Sequence, residues 1–324
     1  EASNAMGSPD TIPGKLTAAL ITVAQQYHVY IASGMQEKDQ KTGKLYNAAV
    51  LVGPNGFIGK YRKNQLNVDD SSDKTPGNLG FPVFDTEIGK ISLLICYDDS
   101  QLQSLLLPAL RGADIIAYPL AAAKFLRDEQ DSSINHTTMG SMATLPGWVG
   151  LNVIAADYTG ALVLPQYNVT AQFPGASSIW DSNGKTLKSL PTSTLANEGN
   201  YADKIIYATL DTSKPNPQRE FWIKHRRPEL YNMYNVYQIQ NGNFVTHKQT
   251  QISALLVQYA PKAGDVQDNY EKISQLVAKQ DQLFNLAVLP YNSFIGNIEI
   301  TKQNVGKYAE KLNGNSYQLA AGLA

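Results

Sequence analysis

The sequence predicts an α/β domain built on mixed, largely covered sheets, and three observations lead there. Apolar runs of strand length alternate with segments of helical spacing. Several runs, such as VYIASGM, DIIAYPLA and LNVIAADYTG, are almost continuously apolar, as strands buried on both faces are. Others are joined by turn signals, Pro54-Asn55-Gly56 and Asn183-Gly184, so hairpins interrupt a purely parallel order.

Taken in order, residues 13–27 place Leu16, Leu20, Val23 and Ala24 on one helical face. Residues 29–35 read as a buried strand, and 46–54 with 57–63 as a hairpin. A polar loop follows over 67–80. Two strands then flank Glu87-Ile88-Gly89, a helix covers 101–113 in spite of Pro108, and 114–121 is a strand. In 143–152 Pro146 is expected to break a helix. Residues 151–160 predict a buried strand, 176–187 a hairpin and 204–212 a last strand. Residues 213–249 read as irregular. The βα pattern then restarts, with strands at 250–260, 285–291 and 317–324 and helices at 269–280 and 301–314. The closing KYAEKLNGNSYQLAAGLA parallels TVAQQYHVYIASGMQ, which predicts a partial internal duplication.

Composition narrows the function classes. Of 324 residues 43% are hydrophobic and 17% charged, which suits a chain with a sizeable core. A net charge of −1 gives no global field for nucleic acid or an anionic membrane surface, so neither is an expected partner. No apolar run reaches the length of a membrane span, and the first residues lack the basic and apolar parts of a signal peptide. A cytoplasmic location is favoured, although one cysteine does not fix the compartment. That single cysteine excludes an internal disulfide or a cysteine-based zinc site, and the four histidines have no ligand spacing. No metal or other cofactor is expected.

The chemistry centres on ISLLICYDDSQ, where Cys96 ends an apolar run and acidic residues follow at once. A strand passing into a turn and helix presents such a side chain at the carboxyl edge of a sheet, where open α/β sheets bind ligands. From position alone, however, a lone cysteine after Leu-Leu-Ile reads as core. A nucleophilic thiol also needs a base or a nearby cation, and is then expected to ionise below the ordinary range near 8.5. GKYRKNQL supplies cations. On an alternating strand Lys60 and Arg62 share one face, Tyr61 and Lys63 the other. A lysine on the core side is costly unless it lines a site, while the bland reading is a solvated basic turn. The residues alone leave both open.

A resemblance separates them. GKLYNAAVLVGPNGFIGKYRKNQL, TPGNLGFPVFDTEIGKISLLICYDD and LRGADIIAYPLA, followed by PGASSIWDSNGKTL and RRPELY, resemble the nitrilase (carbon–nitrogen hydrolase) superfamily over roughly residues 14–231, and Tyr97-Asp98 resembles its amidase-type branches. The Gly-x-Ser-x-Ile-x-Asp-x-x-Gly run falls on Gly175, Ser177, Ile179, Asp181 and Gly184. The resemblance implies a four-layer αββα sandwich with mixed sheets. It implies a Glu-Lys-Cys triad in which Cys96 is the nucleophile and Lys63 steadies the tetrahedral intermediate. It also implies hydrolysis, or acyl transfer, of a small carboxamide through a thioester, and a homodimer or higher homo-oligomer. Pocket residues expected on the same ground are Tyr97, Tyr46, Asn47, Tyr118 and Pro119.

The triad's glutamate is the open position. Glu1 stands near the right distance before VYIASGM, unless Ser3-Asn4-Ala5 is a cloning scar. The segment from residue 250 resembles the family's amino-terminal stretch, with Tyr291 after Pro290 where the glutamate would stand, and tyrosine is a poor base at neutral pH. The expected organisation is a nitrilase-like domain over 1–231 lacking its first β-α-β, an arm over 232–249, and a β-α-β-α-β segment over 250–324. That last segment reads as a second copy, favoured by the duplicated pair, or as a permuted completion of the first. The rival function is a catalytically impaired binding or assembly module. Tyr291, the missing glutamate and Gln103, in a place where the family often has glutamate, support the rival, while Cys96 and Lys63 oppose it; Asp69, Asp70 and Asp73 stand where the family often has a longer acid and leave the substrate class open.

Overall fold

The structure, a computed structural model, describes residues 9–67, 70–122, 124–126, 145–164, 169–190, 204–213, 216–231, 253–279, 281, 286–291, 293–296, 298–299, 301–309, 311 and 314–322. Internal contacts divide the chain into Glu1–Asn232 and Met233–Ala324.

In the first unit, helix α1 (Lys15–Tyr27) precedes strands β1 (Ile31–Lys38), β2 (Leu45–Gly53) and β3 (Gly56–Arg62), which form an antiparallel sheet in that order. Strands β4 (Val83–Thr86) and β5 (Gly89–Leu93), helix α2 (Gln103–Leu110), strands β6 (Ile115–Leu120) and β7 (Lys124–Leu126), helix α3 (Leu145–Val149) and strands β8 (Asn152–Asp157), β9 (Thr159–Leu164), β10 (Val169–Pro174), β11 (Ser178–Trp180) and β12 (Thr186–Ser189) follow. Helix α4 (Pro217–His225) ends the set. The central sheet has the order β12-β11-β8-β6-β5-β4. Its β5-β6-β8 core is parallel and its flanks are antiparallel, so the sheet is mixed as predicted. A smaller sheet has the order β7-β10-β9.

Strand periodicity builds the layers. On β2, Ala49 and Leu51 turn toward the central sheet and join Tyr61, Ile91, Leu93 and Ile116 in the main core. Ala48 and Val50 turn the other way and pack with Ile12, Leu20 and Met35 on the α1 side. Leu105 and Ala109 of α2 and Val149 of α3 close the core from beyond the central sheet. The result is the αββα stack. Gly59 lets the two sheets approach closely, since a Cβ there would sit 2.1 Å from the Phe84 ring. None of the described helices is long and apolar enough to cross a membrane.

The second unit pairs β13 (Ala254–Leu256) in parallel with β14 (Leu286–Val288) across helix α5 (Val266–Ala278). Asp265 caps α5 by accepting from the Asp268 amide at 3.1 Å. Buried Asn269 accepts from the Lys262 amide at 2.6 Å and donates to the Lys262 and Phe294 carbonyls at 2.8 Å each. Helices α6 (Val305–Tyr308) and α7 (Asn315–Ala321) follow.

Six expectations are corrected. Residues 151–160 form two strands interrupted at Tyr158, not one. Pro146 sits in the first turn of α3, where its missing N–H would have no partner in any case, so the helix forms around it. Residues 204–212 join no ladder. Ile205 and Tyr207 are exposed there, because β propensity needs a neighbouring edge to be realised. Part of the predicted irregular stretch is helix α4, started by Pro217 and capped by the Asn216 side chain. The helix expected over 301–314 shrinks to α6. Finally, 317–322 is no strand: Gln318, Leu319, Ala320 and Ala321 are strong helix formers, and they lie in α7 after Gly314. Among the described residues the expected β-α-β-α-β order therefore ends in two short helices, and the mirrored helix–strand pair is not formed there.

Truncation at the seam of the main core tests this packing. Leu51→Ala and Ile116→Ala should each cost about 2–5 kcal/mol, read as a drop in urea midpoint at unchanged slope.

Candidate active site

Strands β5, β6 and β8 run parallel, so their carboxyl ends share one edge of the central sheet. Cys96 lies at that edge, at the start of a 3-10 turn over Cys96–Ser100. Its φ is +43°, a left-handed conformation that a cysteine adopts at a cost of about 1–2 kcal/mol. The side chain is partly accessible and packs on the main core. Fully buried Tyr118 of β6 donates its hydroxyl hydrogen to the Cys96 carbonyl, which holds the strained residue from the far side.

The alternation expected along β3 is observed. Arg62 points to buried Glu37 of β1, donating at 2.7 Å from Nε and 2.7 Å from Nη2, and Lys60 binds the same carboxylate. Burial alone would lift the Glu37 carboxyl, but Arg62 and Lys60 outweigh it and hold it below its ordinary value. The opposite face presents Tyr61 and, just beyond the strand, Lys63. Lys63 is 1% exposed, and its backbone is fixed by Asn47 and Gly77. Its ammonium pairs with Asp70, whose other oxygen accepts from Asn47 Nδ2 at 3.1 Å. The Asp70 amide in turn donates to Asn67 at 2.8 Å.

The thiol does not behave as the sequence suggested. Burial pushes Cys96 up to about 11. The Lys63 ammonium opposes this, while Asp99, Asp157 and Asp70 add to it. Lys63 does not win, because burial outweighs its field. At rest the group is therefore a protonated thiol.

Two acidic residues at this edge escaped the sequence reading. Asp98 is fully buried and accepts three hydrogen bonds, and burial raises it to about 6 against those donors. Asp157 ends β8. Its Oδ1 accepts from the Ala122 and Tyr158 amides at 3.0 and 2.8 Å, while Oδ2 is buried with no partner among the described residues. Burial pushes this carboxyl up to about 7, against the two amides. Ser177 of the Gly-x-Ser run explains the placement: its hydroxyl accepts from the Asp157 amide at 2.9 Å and donates to the Asp157 carbonyl at 3.3 Å. The available signal was an aspartate closing an apolar strand, Ala155-Ala156-Asp157.

The structure thus brings Cys96, Lys63 and Tyr118 together and adds Asp70, Asp98 and Asp157. Asn47 enters through Asp70. Tyr97 is half-exposed beside Cys96. Tyr46 is buried under the Arg62 guanidinium, 3.8 Å from its ring centre. Pro119 lies against Gly34 of β1. Tyr291 is 89% exposed in the second unit. Glu1 and Asp69 lie outside the described residues, and Asp73 pairs with Lys74. No cluster suited to a metal ion occurs among the described residues.

Comparisons with known proteins agree on the family. A family profile described as carbon-nitrogen hydrolase matches residues 2–217. A nitrilase of Pyrococcus abyssi is 47% identical over 106 residues, covering 33% of this chain and 40% of that protein. A beta-ureidopropionase of Arabidopsis thaliana is 29% identical over 226 residues, covering 66% and 52%. A citrullinase of Francisella tularensis is 27% identical over 217 residues, covering 64% and 71%. The chain thus spans 40% of the length of the first of these relatives and 52% of the second. Among solved structures, a carbon-nitrogen hydrolase from Helicobacter pylori superposes with a TM-score of 0.57 at 24% identity, covering 68% of this chain and 75% of that one, which shows the shared fold.

The charge at Asp157 is open to measurement. A carboxyl raised from 3.8 to about 7 on folding binds its proton more tightly in the folded chain. Its contribution is therefore full below about pH 4 and is lost as pH rises through 7. Asp157→Asn keeps the acceptor for the two amides and removes the buried charge. It should gain about 2 kcal/mol over the parent at pH 8 relative to pH 5 in urea titrations.

Proposed function

The chain belongs to the carbon–nitrogen hydrolase, or nitrilase, superfamily, and from that premise we propose that it cleaves the C–N bond of a small non-peptide amide through a thioester on Cys96. The observation that carries this reading is the pairing of a left-handed Cys96 on the sheet edge with a buried Lys63 ammonium, the main cation acting on the thiol. Neither a strained cysteine nor a buried lysine serves packing well, and strain of this kind collects at functional sites.

Because the thiol is neutral at rest, its proton leaves as the sulfur attacks the carbonyl carbon, and a carboxylate takes it. The carbonyl oxygen becomes an oxyanion facing the Lys63 ammonium and backbone N–H groups such as that of Tyr97. Collapse breaks the C–N bond, and the protonated carboxyl gives its proton to the leaving nitrogen. Water then adds to the thioester while the same carboxylate takes its proton. The acid departs, and the proton returns to the thiolate. The family pattern gives the carboxylate role to a glutamate, and Glu1 is the residue proposed for it. Asp70 orients the Lys63 ammonium. Ureido compounds are the first substrates to test, following the names of the citrullinase and beta-ureidopropionase relatives, with a nitrile alongside. Exposed Trp148 and Phe221, on α3 and α4, offer apolar surface for the homodimer or larger homo-oligomer proposed with this activity.

The raised thiol and the Lys63–Asp70 pair favour a second reading, in which the fold is kept for binding or assembly and the site is silent. Turnover separates the two. On the first reading the protein releases ammonia or amine from a small amide or ureido substrate, and Cys96→Ala and Lys63→Ala each lower kcat/KM by at least a hundredfold at unchanged far-UV circular dichroism. Absence of release from the intact chain, with Cys96 labelled by iodoacetamide only on unfolding, would leave the second reading standing.

A further inference from the structure

Asp98 is two residues past the nucleophile in CYDD, and all its hydrogen bonds run to two places. Its Oδ2 accepts from the Ile95 amide at 2.9 Å, inside the turn that carries Cys96. The same oxygen accepts from the Tyr61 hydroxyl at 2.8 Å, and Oδ1 accepts from the Gln65 amide at 3.0 Å. Tyr61 and Gln65 bracket Lys63. The Tyr61 hydroxyl also accepts from the Asn64 amide at 3.1 Å, so the residues on both sides of the lysine are held to one carboxylate. Asp98 and Tyr61 are fully buried, at 0% exposure each, so water does not compete for these bonds. Hydrogen bonds to a charged acceptor in a dry site are strong and directional.

From this we infer that Asp98 is a positioning residue: it sets the separation and aim of the Lys63 ammonium relative to the Cys96 sulfur by bonding the two segments that carry them. The inference rests on the thioester reading and adds a role that Asp98 plays through Lys63, not on the substrate. The two carboxylate oxygens divide the work. Oδ2 holds the nucleophile turn and the Tyr61 hydroxyl, and Oδ1 holds the chain beyond the lysine. Asp98→Asn can keep the first pair of bonds only by turning its NH₂ group toward the Gln65 amide, which cuts the link at the lysine side. Tyr61→Phe cuts the other link and leaves the carboxylate in place.

The test is the second-order rate of Cys96 alkylation by iodoacetamide at pH 9, where the rate follows the thiolate fraction, measured in the folded full chain. Lys63→Ala should slow alkylation at least fivefold. Asp98→Asn and Tyr61→Phe should each slow it by a similar factor with far-UV circular dichroism unchanged. In the Lys63→Ala background each should then change the rate less than twofold, because the cation they aim is gone. That background also reads out the direct field of the Asp98 charge on the thiol. A slowing by the same factor with and without Lys63 would show a general loosening of the turn and overturn the inference. So would parental rates in both variants while Lys63→Ala is slow. Parental rates in Lys63→Ala itself would overturn this inference alone, because the thioester reading places Lys63 on the substrate oxygen and is decided by turnover of the intact chain. Should Asp98→Asn fail to fold, Tyr61→Phe, which retains the charge and the aromatic packing on Phe81, decides by the same criteria.

Discussion

A buried carboxylate with three donors joins the two halves of the candidate site, and much of the local geometry follows from that bond set. Asp98 sits between a turn that ends a central strand and a loop that leaves an edge strand of the other sheet. Those two segments are more than thirty residues apart in sequence. Sheet packing brings them into the same region, but packing of apolar side chains is tolerant of small shifts. Hydrogen bonds to an enclosed carboxylate are not, since each lost bond leaves a buried donor unsatisfied at about 1–3 kcal/mol. The Tyr118 hydroxyl on the Cys96 carbonyl adds a further point of fixation, from the neighbouring strand. A left-handed cysteine persists only where its surroundings hold it so, and here it is held through Ile95 on one side and through its own carbonyl on the other.

Some of the buried charges around this edge are held by an opposite charge, and others, Asp98 among them, by neutral donors. Glu37 takes Arg62 and Lys60, and Asp70 takes Lys63. Each pairing offsets a desolvation cost that neither partner could bear alone. Asp157 has two backbone amides and no cation as partners among the described residues, and burial raises its carboxyl to about 7. The thiol of Cys96 shares this environment. It sits near one cation and three carboxylates, and the cation is already spoken for by Asp70. On the thioester reading proposed above, such a balance holds Cys96 as a neutral thiol that depends on a base to release its proton at the moment of attack. On that same reading Lys63 acts chiefly on the charge that develops on the substrate oxygen, where a preorganised ammonium in a dry setting is most effective.

The second unit shows how far local pattern extends without tertiary information. Its β-α-β core follows the predicted spacing, with Asp265 and Asn269 fixing the start of the helix. Beyond it, residues 315–321 adopt a helix where a likeness to the first αβ pair suggested a strand. Runs such as Leu-Ala-Ala are neutral between the two until a sheet edge is on offer. In its absence the intrinsic preference of Gln, Leu and Ala for helix prevails. The segment 204–212 is the converse case, a strong β former that joins no ladder among the described residues.

The order of strands and helices through residue 120, the hairpin turns and the two faces of strand 56–62 were legible in the sequence, because period and turn chemistry are local properties of the chain. Cys96 and Lys63 stood out through motif resemblance, and the lysine also through its position on the face opposite Arg62. What only the tertiary structure decided is which charges meet. That Asp70 reaches Lys63 although its side chain is short, that Asp98 bonds across to Tyr61 and Gln65, and that Asp157 is left with an unpartnered oxygen all depend on contacts between distant segments. So does the neutral state of the thiol, since a protonation equilibrium answers to every charge and every layer of solvent removed around it, and none of those is written in the residue's neighbours along the chain.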